Sequence, residues 1–565
     1  MKPSHHRPSN DSWAFVIADA LEKVYPDAVP RAHDPSVPTS AFLGETVSFQ
    51  IAIRPPLVRT FRPTGQLTVR VGGALAANAA IHQVELVPCM LAAFPGHDGG
   101  YDRDTPGLYP DLLRPQPGGA IKPLIGGWTS AWIDITVEDA ALAGTHGIPV
   151  SVTTAAGETL FQDSITLTVL GRRLPELAIV NSHWFHCDGL ASYYGVEVFS
   201  EDHWGIIENF VASAAGMGVN SLLTPTWTPP LDTAVGGVRL PTQLIGMADD
   251  GGQYSFDFSL LERWLGICAR HGIKYLEIAH LFTQWGAGFT PAIYVTTNTG
   301  TERRFGWDVP ATDPTYRTLM AALLPELRSV LARNWPLERV FFHISDEPHG
   351  EKGLAGYLAA KAVVADLLEG LEVVDALSDF AFYTSGAVGR PIVATDAVGP
   401  FLDAGMDRLW VYYCTAQEAG VANRFIAMPS ARNRVLGHQL FALNCSGFLH
   451  WGFNFYNSTL SAGSIDPFTD TCAGGDFQGG DSFMVYPGGG GAPWASIRYR
   501  VFAQAMADHR AFTLLAELAG RQAVMGIINH NGSGGPLAMD SFSYDPAHYL
   551  RSREQVNAAI AAALP

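Results

Sequence analysis

The segment Arg339-Val340-Phe341-Phe342-His343-Ile344-Ser345-Asp346-Glu347-Pro348-His349 carries the strongest chemical signal in the chain. The mostly apolar run 340–344 reads as a β-strand, polar residues crowd its C-terminal end, and Pro348 ends the pairing. Two adjacent carboxyls at such an end each disfavour ionisation of the other in a partly dry cleft. A carboxyl that keeps its proton at neutral pH beside one that ionises is the equipment of general acid–base catalysis, so Asp346 and Glu347 are the candidate catalytic residues. A solvated strand end with a helix-capping acid is the plain alternative.

Aromatic residues weigh against that alternative. Predicted strand ends carry His183-Trp184, Trp227, Trp285, Trp410 with Tyr412-Tyr413, and His450-Trp451 with Asn454; loops add Trp307-Asp308 and Tyr383. Any single Trp reads first as core or rim packing. Seven such groups read as a site, because sugars present flat apolar faces edged with hydroxyls and are held by rings together with Asn, Asp and His. The candidate substrate-binding residues are His183, Trp184, Trp227, Trp307, His343, Tyr383, Tyr413, Trp451 and Asn454.

These residues need a scaffold. After residue 172, strands predicted to begin at Leu177, Val219, Ile273, Arg339, Leu371, Pro391, Arg408 and Gly447 alternate with helical patterns. One helix starts at Asp313-Pro314 and continues with Leu319, Met320, Leu323, Leu324, Leu327, Val330 and Leu331; another spans 257–271 and stops at Gly272. Eight repeats over this length predict a (β/α)8 barrel closed by a helix over 495–510, with active residues at the C-terminal strand ends. An open doubly wound sheet is the alternative, but no Gly-rich phosphate loop accompanies it. Before residue 172, alternation in 41–53 and 164–170 and the Gly/Pro-rich stretch 115–123 predict an N-terminal antiparallel β-sandwich. The expected domains are therefore 1–172, a catalytic barrel 173–515, and a small α/β appendage 516–565 packed on the barrel.

A chain of 565 residues that is 47% hydrophobic can bury a large core. Its net charge of −18 argues against nucleic acid or an anionic membrane as partner. The six cysteines (Cys89, Cys187, Cys268, Cys414, Cys445, Cys472) form no C-x-x-C pair and read as buried thiols. Residues 1–8 are polar and lack the apolar core of a signal peptide, so a cytoplasmic location is expected. No cofactor or metal is expected.

The stretch Phe342-His343-Ile344-Ser345-Asp346-Glu347-Pro348 resembles the catalytic strand of glycoside hydrolase family 123. So do residues 434–454, with Gly447-Phe448-Leu449-His450-Trp451-Gly452, and Gly480-Asp481 through Tyr486-Pro487 to Ser496-Ile497-Arg498. The resemblance implies a retaining, exo-acting β-N-acetylgalactosaminidase acting on an oligosaccharide or glycoconjugate, with the substrate's own 2-acetamido group as nucleophile. Glu347 would protonate the leaving oxygen and later activate water; Asp346 would hold the acetamido N–H; Tyr413 or Tyr383 would bind its carbonyl. Adjacency suits this scheme, since two-carboxylate retention needs groups about 5 Å apart on opposite sides of the bond. A sugar lacking the acetamido group would need another carboxylate, with Asp188 and Asp308 as first candidates. Two further readings compete: a metal-assisted hydrolase using His343, Asp346, Glu347 and His349, and a non-catalytic sugar-binding barrel. Against the metal, strand alternation separates His343 from Asp346 unless the chain bends.

Overall fold

The computed structural model describes residues 12–57 and 65–564; the polar stretch 1–8 lies outside them. Ten strands in the first third form two five-stranded sheets. One runs, in spatial order, through Ala14–Asp19, Thr46–Arg54, Thr129–Thr136, Ala79–Cys89 and Gly107–Pro115. The other joins Ser40–Leu43, Thr159–Arg173, Gly144–Thr154, Leu67–Val71 and Ala120–Ile121. All pairs are antiparallel except Ser40–Leu43 with Thr159–Arg173, which is parallel. The two sheets share one core: Phe49, Ile51 and Ile53 from the first meet Val150, Val152, Leu167 and Val169 from the second. Strand Thr46–Arg54 buries its other face too, where Gln50 donates to the carbonyls of Asp19 and Glu22.

The rest of the chain builds a nine-stranded, all-parallel, nearly closed sheet. Its members are Val180–His183, Ser221–Thr224, Tyr275–Ile278, Val340–Phe342, Glu372–Val373, Asp375–Leu377, Pro391–Ala394, Trp410–Tyr412 and Gly447–His450, each within three residues of an expected start or continuing one. The two strands at the open ends, Glu372–Val373 and Asp375–Leu377, are separated by Val374 alone, whose amide donates to Phe342 O (2.9 Å). Alternation divides each strand. Val180, Phe341, Ile392, Trp410, Tyr412 and Leu449 pack together inside, while Leu276, Phe342, Val393, Val411, Tyr413 and Phe448 face the helices. At about 1.5–3 kcal/mol for each large apolar side chain buried, both layers contribute heavily to stability.

Helix Pro314–Asn334 begins as its sequence dictates: the Asp313 side chain accepts from Thr315 N (2.8 Å) and Pro314 fills the first turn. Helix Ser259–Arg270 gives way to Gly272 at φ +76°. The closing helix is longer than expected, Ile497–Ala519, because Leu514 and Leu515 continue its buried face. Beyond it the tail forms helices Arg521–Ile528 and Pro546–Ala563 and, among the described residues, no strand, so the expected α/β appendage is helical. It packs on the closing helix and also on Phe42 and Leu174 of the first third. There Arg553 binds Glu45 (2.7 Å) and Asp508 (2.9 Å) in a buried ion cluster. A four-stranded sheet of Gly246–Asp250, Gln253–Asp257, Ile293–Thr297 and Gly300–Phe305 had no sequence signal. No helix among the described residues is long and apolar enough to cross a membrane.

Candidate active site

At the C-terminal ends of the parallel strands lies a cavity of about 200 Å³. Asp346 and Glu347 line it with Trp184, Trp285, Tyr412, Trp451 and Phe477, and Asp232, Gln284 and Cys414 add polar groups. Strand Val340–Phe342 is shorter than expected; both carboxyls sit in the segment beyond it. That segment stays bonded on both sides, since Asp346 O accepts from Trp285 N (2.8 Å) and Glu347 N donates to Ala376 O (3.1 Å). In a regular strand neighbouring side chains point to opposite faces. Glu347 escapes that rule with φ +41°, a left-handed conformation uncommon outside glycine, so both carboxyls reach one cavity. Asp232 (φ +38°) and Trp285 (φ +60°) share the feature. Such strain costs roughly 1–3 kcal/mol per residue and persists where the surroundings over-determine it, often at functional sites.

Glu347 is gripped on one side: the Tyr412 hydroxyl donates to its Oε1 (2.6 Å), with Cys414 Sγ 3.9 Å away. Burial raises its pKa, opposed by these two groups and reinforced by the charge of Asp396. Asp346 is raised well above the usual carboxylate range, by burial first, then by Glu347, with a smaller contribution from Asp232. No group among the described residues donates a hydrogen bond to the Asp346 carboxylate. Asp232 is pushed up to about 6 by burial, although Leu460 N donates to its Oδ2 (3.0 Å).

Beneath the cavity floor the fully buried Glu277 accepts from Ser182 Oγ, Trp184 Nε1 (2.8 Å) and His343 Nε2 (2.9 Å). His343 Nδ1 stands 3.6 Å from Asp375. Burial lowers its pKa, but the flanking carboxylates of Asp375 and Glu277 outweigh burial and hold it at about 9. Asp375 also receives Ile344 N (2.9 Å), Ser345 N (3.3 Å) and the Tyr357 hydroxyl, which pins the segment leading to Asp346.

Of the residues expected from sequence, the structure brings Asp346, Glu347, Trp184 and Trp451 together and leaves the others outside the cavity wall. His183 faces the helices, against Phe448, Phe502 and Arg424. Tyr413 has the same orientation, so alternation gives the cavity Tyr412 instead. Trp227 is core, its Nε1 donating to His280 O (2.9 Å). Asn454 is consumed by the His186 backbone (2.9 and 3.1 Å). Trp307 packs on Phe289 in the unforeseen small-sheet region, and Tyr383 packs on Phe380 and Phe401. His343 lies under the floor. The fallback carboxylates fail on position: Asp188 is locked to Arg239 (2.6 Å), and Asp308 is exposed beside Arg303. Trp285 and Tyr412, named among the strand-end aromatics but not among the candidate binding residues, also line the cavity, and Asp232, Gln284, Cys414 and Phe477 line it without any sequence signal having singled them out as site residues.

No group of three or more His, Cys, Asp or Glu among the described residues could hold a metal ion. His343 is engaged by two carboxylates and the His349 side chain is 80% exposed. All six cysteines are unpaired, and Cys414 is the one that is not fully buried.

A family model described as glycoside hydrolase 123, catalytic domain, matches residues 184–515. Among solved structures, a family 123 glycoside hydrolase from Clostridium perfringens, studied for glycolipid glycan hydrolysis, aligns with a TM-score of 0.72 at 14% identity, covering 98% of this chain and 99% of that one. This likeness is one of fold. A Parabacteroides merdae β-glucuronidase (TM-score 0.29, 12% identity, 88% of this chain and 52% of that one) and an endo-β1,6-glucanase (0.36, 11%, 63% and 82%) are too distant to argue from. No curated protein matches the sequence.

Proposed function

The chain belongs to glycoside hydrolase family 123, and on that premise we propose that it is a retaining, exo-acting β-N-acetylgalactosaminidase working by substrate assistance. The observation that carries the reading is the asymmetry of the two carboxyls sharing one cavity. Glu347 is fixed by Tyr412, whereas Asp346 has no donor among the described residues and can accept an N–H from the substrate.

Two buried like charges cannot both ionise cheaply, so the pair shares a proton. An acetamido N–H donating to Asp346 favours ionisation there and leaves the proton on Glu347. Glu347 then protonates the departing glycosidic oxygen as the acetamido oxygen attacks C1. The C1–O bond breaks, and Asp346 stabilises the positive charge of the oxazolinium. Glu347, now ionised, takes a proton from water, which attacks C1 from the face the leaving group vacated and breaks its bond to the acetamido oxygen, restoring the acetamido group. Two inversions restore the original configuration.

Trp184, Trp451 and Phe477 supply apolar faces for the sugar, and about 200 Å³ is small beside ligand clefts of about 300–1,000 Å³, which suits one terminal residue. Tyr412 replaces Tyr413 and Tyr383 as the tyrosine closest to the chemistry. We read the nearly closed sheet as a (β/α)8 barrel in which 372–377 is a single strand, with the N-terminal sheets as a β-sandwich and domains at 1–172, 173–515 and 516–565. The test is a panel of nitrophenyl glycosides: N-acetyl-β-galactosaminide should be hydrolysed fastest, and preference for a sugar without the 2-acetamido group would overturn the mechanism.

A further inference from the structure

Asp232 has no role in the chemistry above, yet it is the third carboxyl facing the cavity. It stands in the loop after strand Ser221–Thr224, whereas Asp346 and Glu347 follow Val340–Phe342. That loop is built to hold it. Asp232 N donates to Gln284 Oε1, Asp232 O accepts from Ser461 Oγ (2.7 Å), and Leu460 N occupies its Oδ2 (3.0 Å). Its Oδ1 has no donor among the described residues. A non-glycine residue at φ +38°, fixed by three hydrogen bonds so that a carboxylate oxygen stays free in a cavity, is a preorganised acceptor.

The position of that acceptor follows from its neighbours. Glu347 leans toward Tyr412 and Cys414, and Asp346 lies close enough to both Glu347 and Asp232 to feel both charges. With the anomeric oxygen at Glu347 and the 2-acetamido group at Asp346, the next ring positions, C3 and C4, fall toward Asp232. No Lys, Arg or His lines the cavity among the described residues, so nothing there would pair with a carboxylate or sulfate on the sugar.

We propose that Asp232 is the specificity-determining residue of this site, accepting a hydrogen bond from the 4-hydroxyl of a neutral terminal sugar and so discriminating C4 epimers. The proposal rests on the glycosidase reading above. A site built to bond a hydroxyl discriminates strongly against an analogue lacking it, because the buried acceptor is left unpaired.

The experiment takes the nitrophenyl glycoside that the wild type hydrolyses fastest, its C4 epimer, and its 3-deoxy and 4-deoxy analogues, and assays them with wild type and Asp232→Asn. The 4-deoxy analogue should lose about 10²-fold in wild-type kcat/KM, the upper end of what a hydrogen bond to a charged group supplies. Asp232→Asn should lose a similar factor on the parent glycoside, chiefly through KM, and within about threefold on that deoxy analogue, with the epimer preference narrowed. The wild-type deoxy series decides the matter even if the variant fails to fold. Equal turnover of both deoxy analogues, or an equal collapse of kcat on every substrate as a nucleophile would show, overturns the proposal. A fastest substrate without an acetamido group would overturn substrate assistance while leaving this test intact.

Discussion

Replacing Tyr412 with Phe isolates the hydrogen bond that separates the two carboxyls. The hydroxyl donates to Glu347 Oε1 at 2.6 Å and stabilises the ionised form, so it holds the Glu347 pKa below where burial alone would put it. A hydrogen bond to a charged group is worth about 1.5–3 kcal/mol, and one pKa unit corresponds to about 1.4 kcal/mol. Tyr412→Phe should therefore raise the Glu347 pKa by about 1–2 units while keeping the ring's packing inside the barrel-like sheet. The sign matters: the first step needs protonated Glu347, so kcat/KM falls as pH rises through this pKa, and the variant's alkaline limb should move upward. The assay is the pH profile of kcat/KM on a glycoside with an unactivated leaving group, where proton donation is limiting. A limb that stays in place or moves to lower pH would refute the assignment of Glu347 as the acid.

Other perturbations follow from the same geometry. Glu347→Gln should lower turnover about 10²-fold or more with poor leaving groups and much less with activated ones, as measured by steady-state rates across a leaving-group series. Asp346→Asn should cost about 2–4 kcal/mol in the first step, about 30- to 10³-fold in rate, yet stabilise the fold at high pH. The folded pKa of Asp346 is raised, so its stability contribution is present below the unfolded pKa and lost as pH rises through the folded one; the melting temperature of Asp346→Asn should match wild type near pH 4 and exceed it at pH 8. Arg239→Leu strands Asp188 without its buried partner and frees the carbonyls of Pro229 and Leu231, which Arg239 also binds. It should cost about 3–5 kcal/mol in denaturant unfolding and raise KM by loosening the loop that carries Asp232.

Much of the scaffold was legible in the sequence because its signals are local. The strand starts expected at 339 and 447, the Asp313-Pro314 cap and the Gly272 stop each report on a few neighbouring residues, and each lies within one residue of its expected place, although the strand expected over 340–344 ends at Phe342. The site was legible where position along the strand sufficed: Asp346, Glu347, Trp184 and Trp451 reach the cavity. Facing was harder. Trp410-Val411-Tyr412-Tyr413 alternates, but only the packing of Trp410 inside the sheet shows that Tyr412 faces the cavity and Tyr413 the helices. His183 likewise faces the helices, against Phe448 and Phe502, where strand position alone does not tell the two faces apart. The bend at Glu347 is set by hydrogen bonds with Trp285, beyond strand Tyr275–Ile278, and Ala376, in strand Asp375–Leu377, which no local pattern encodes. Asp232 follows Thr228-Pro229-Pro230 in an irregular loop without periodicity, and it becomes a site residue through contacts to Gln284, Leu460 and Ser461, distant in sequence.

Substrate assistance is tested most directly by competitive inhibition with the thiazoline analogue of N-acetylgalactosamine, whose fused ring mimics the cyclic intermediate. With Asp346 free to bind the ring nitrogen, its inhibition constant should lie at least about 10²-fold below that of free N-acetylgalactosamine, since intermediate mimics bind more tightly than ground-state ligands. Inhibition no stronger than that by the free sugar would contradict the mechanism and require another carboxylate to take the nucleophile's part.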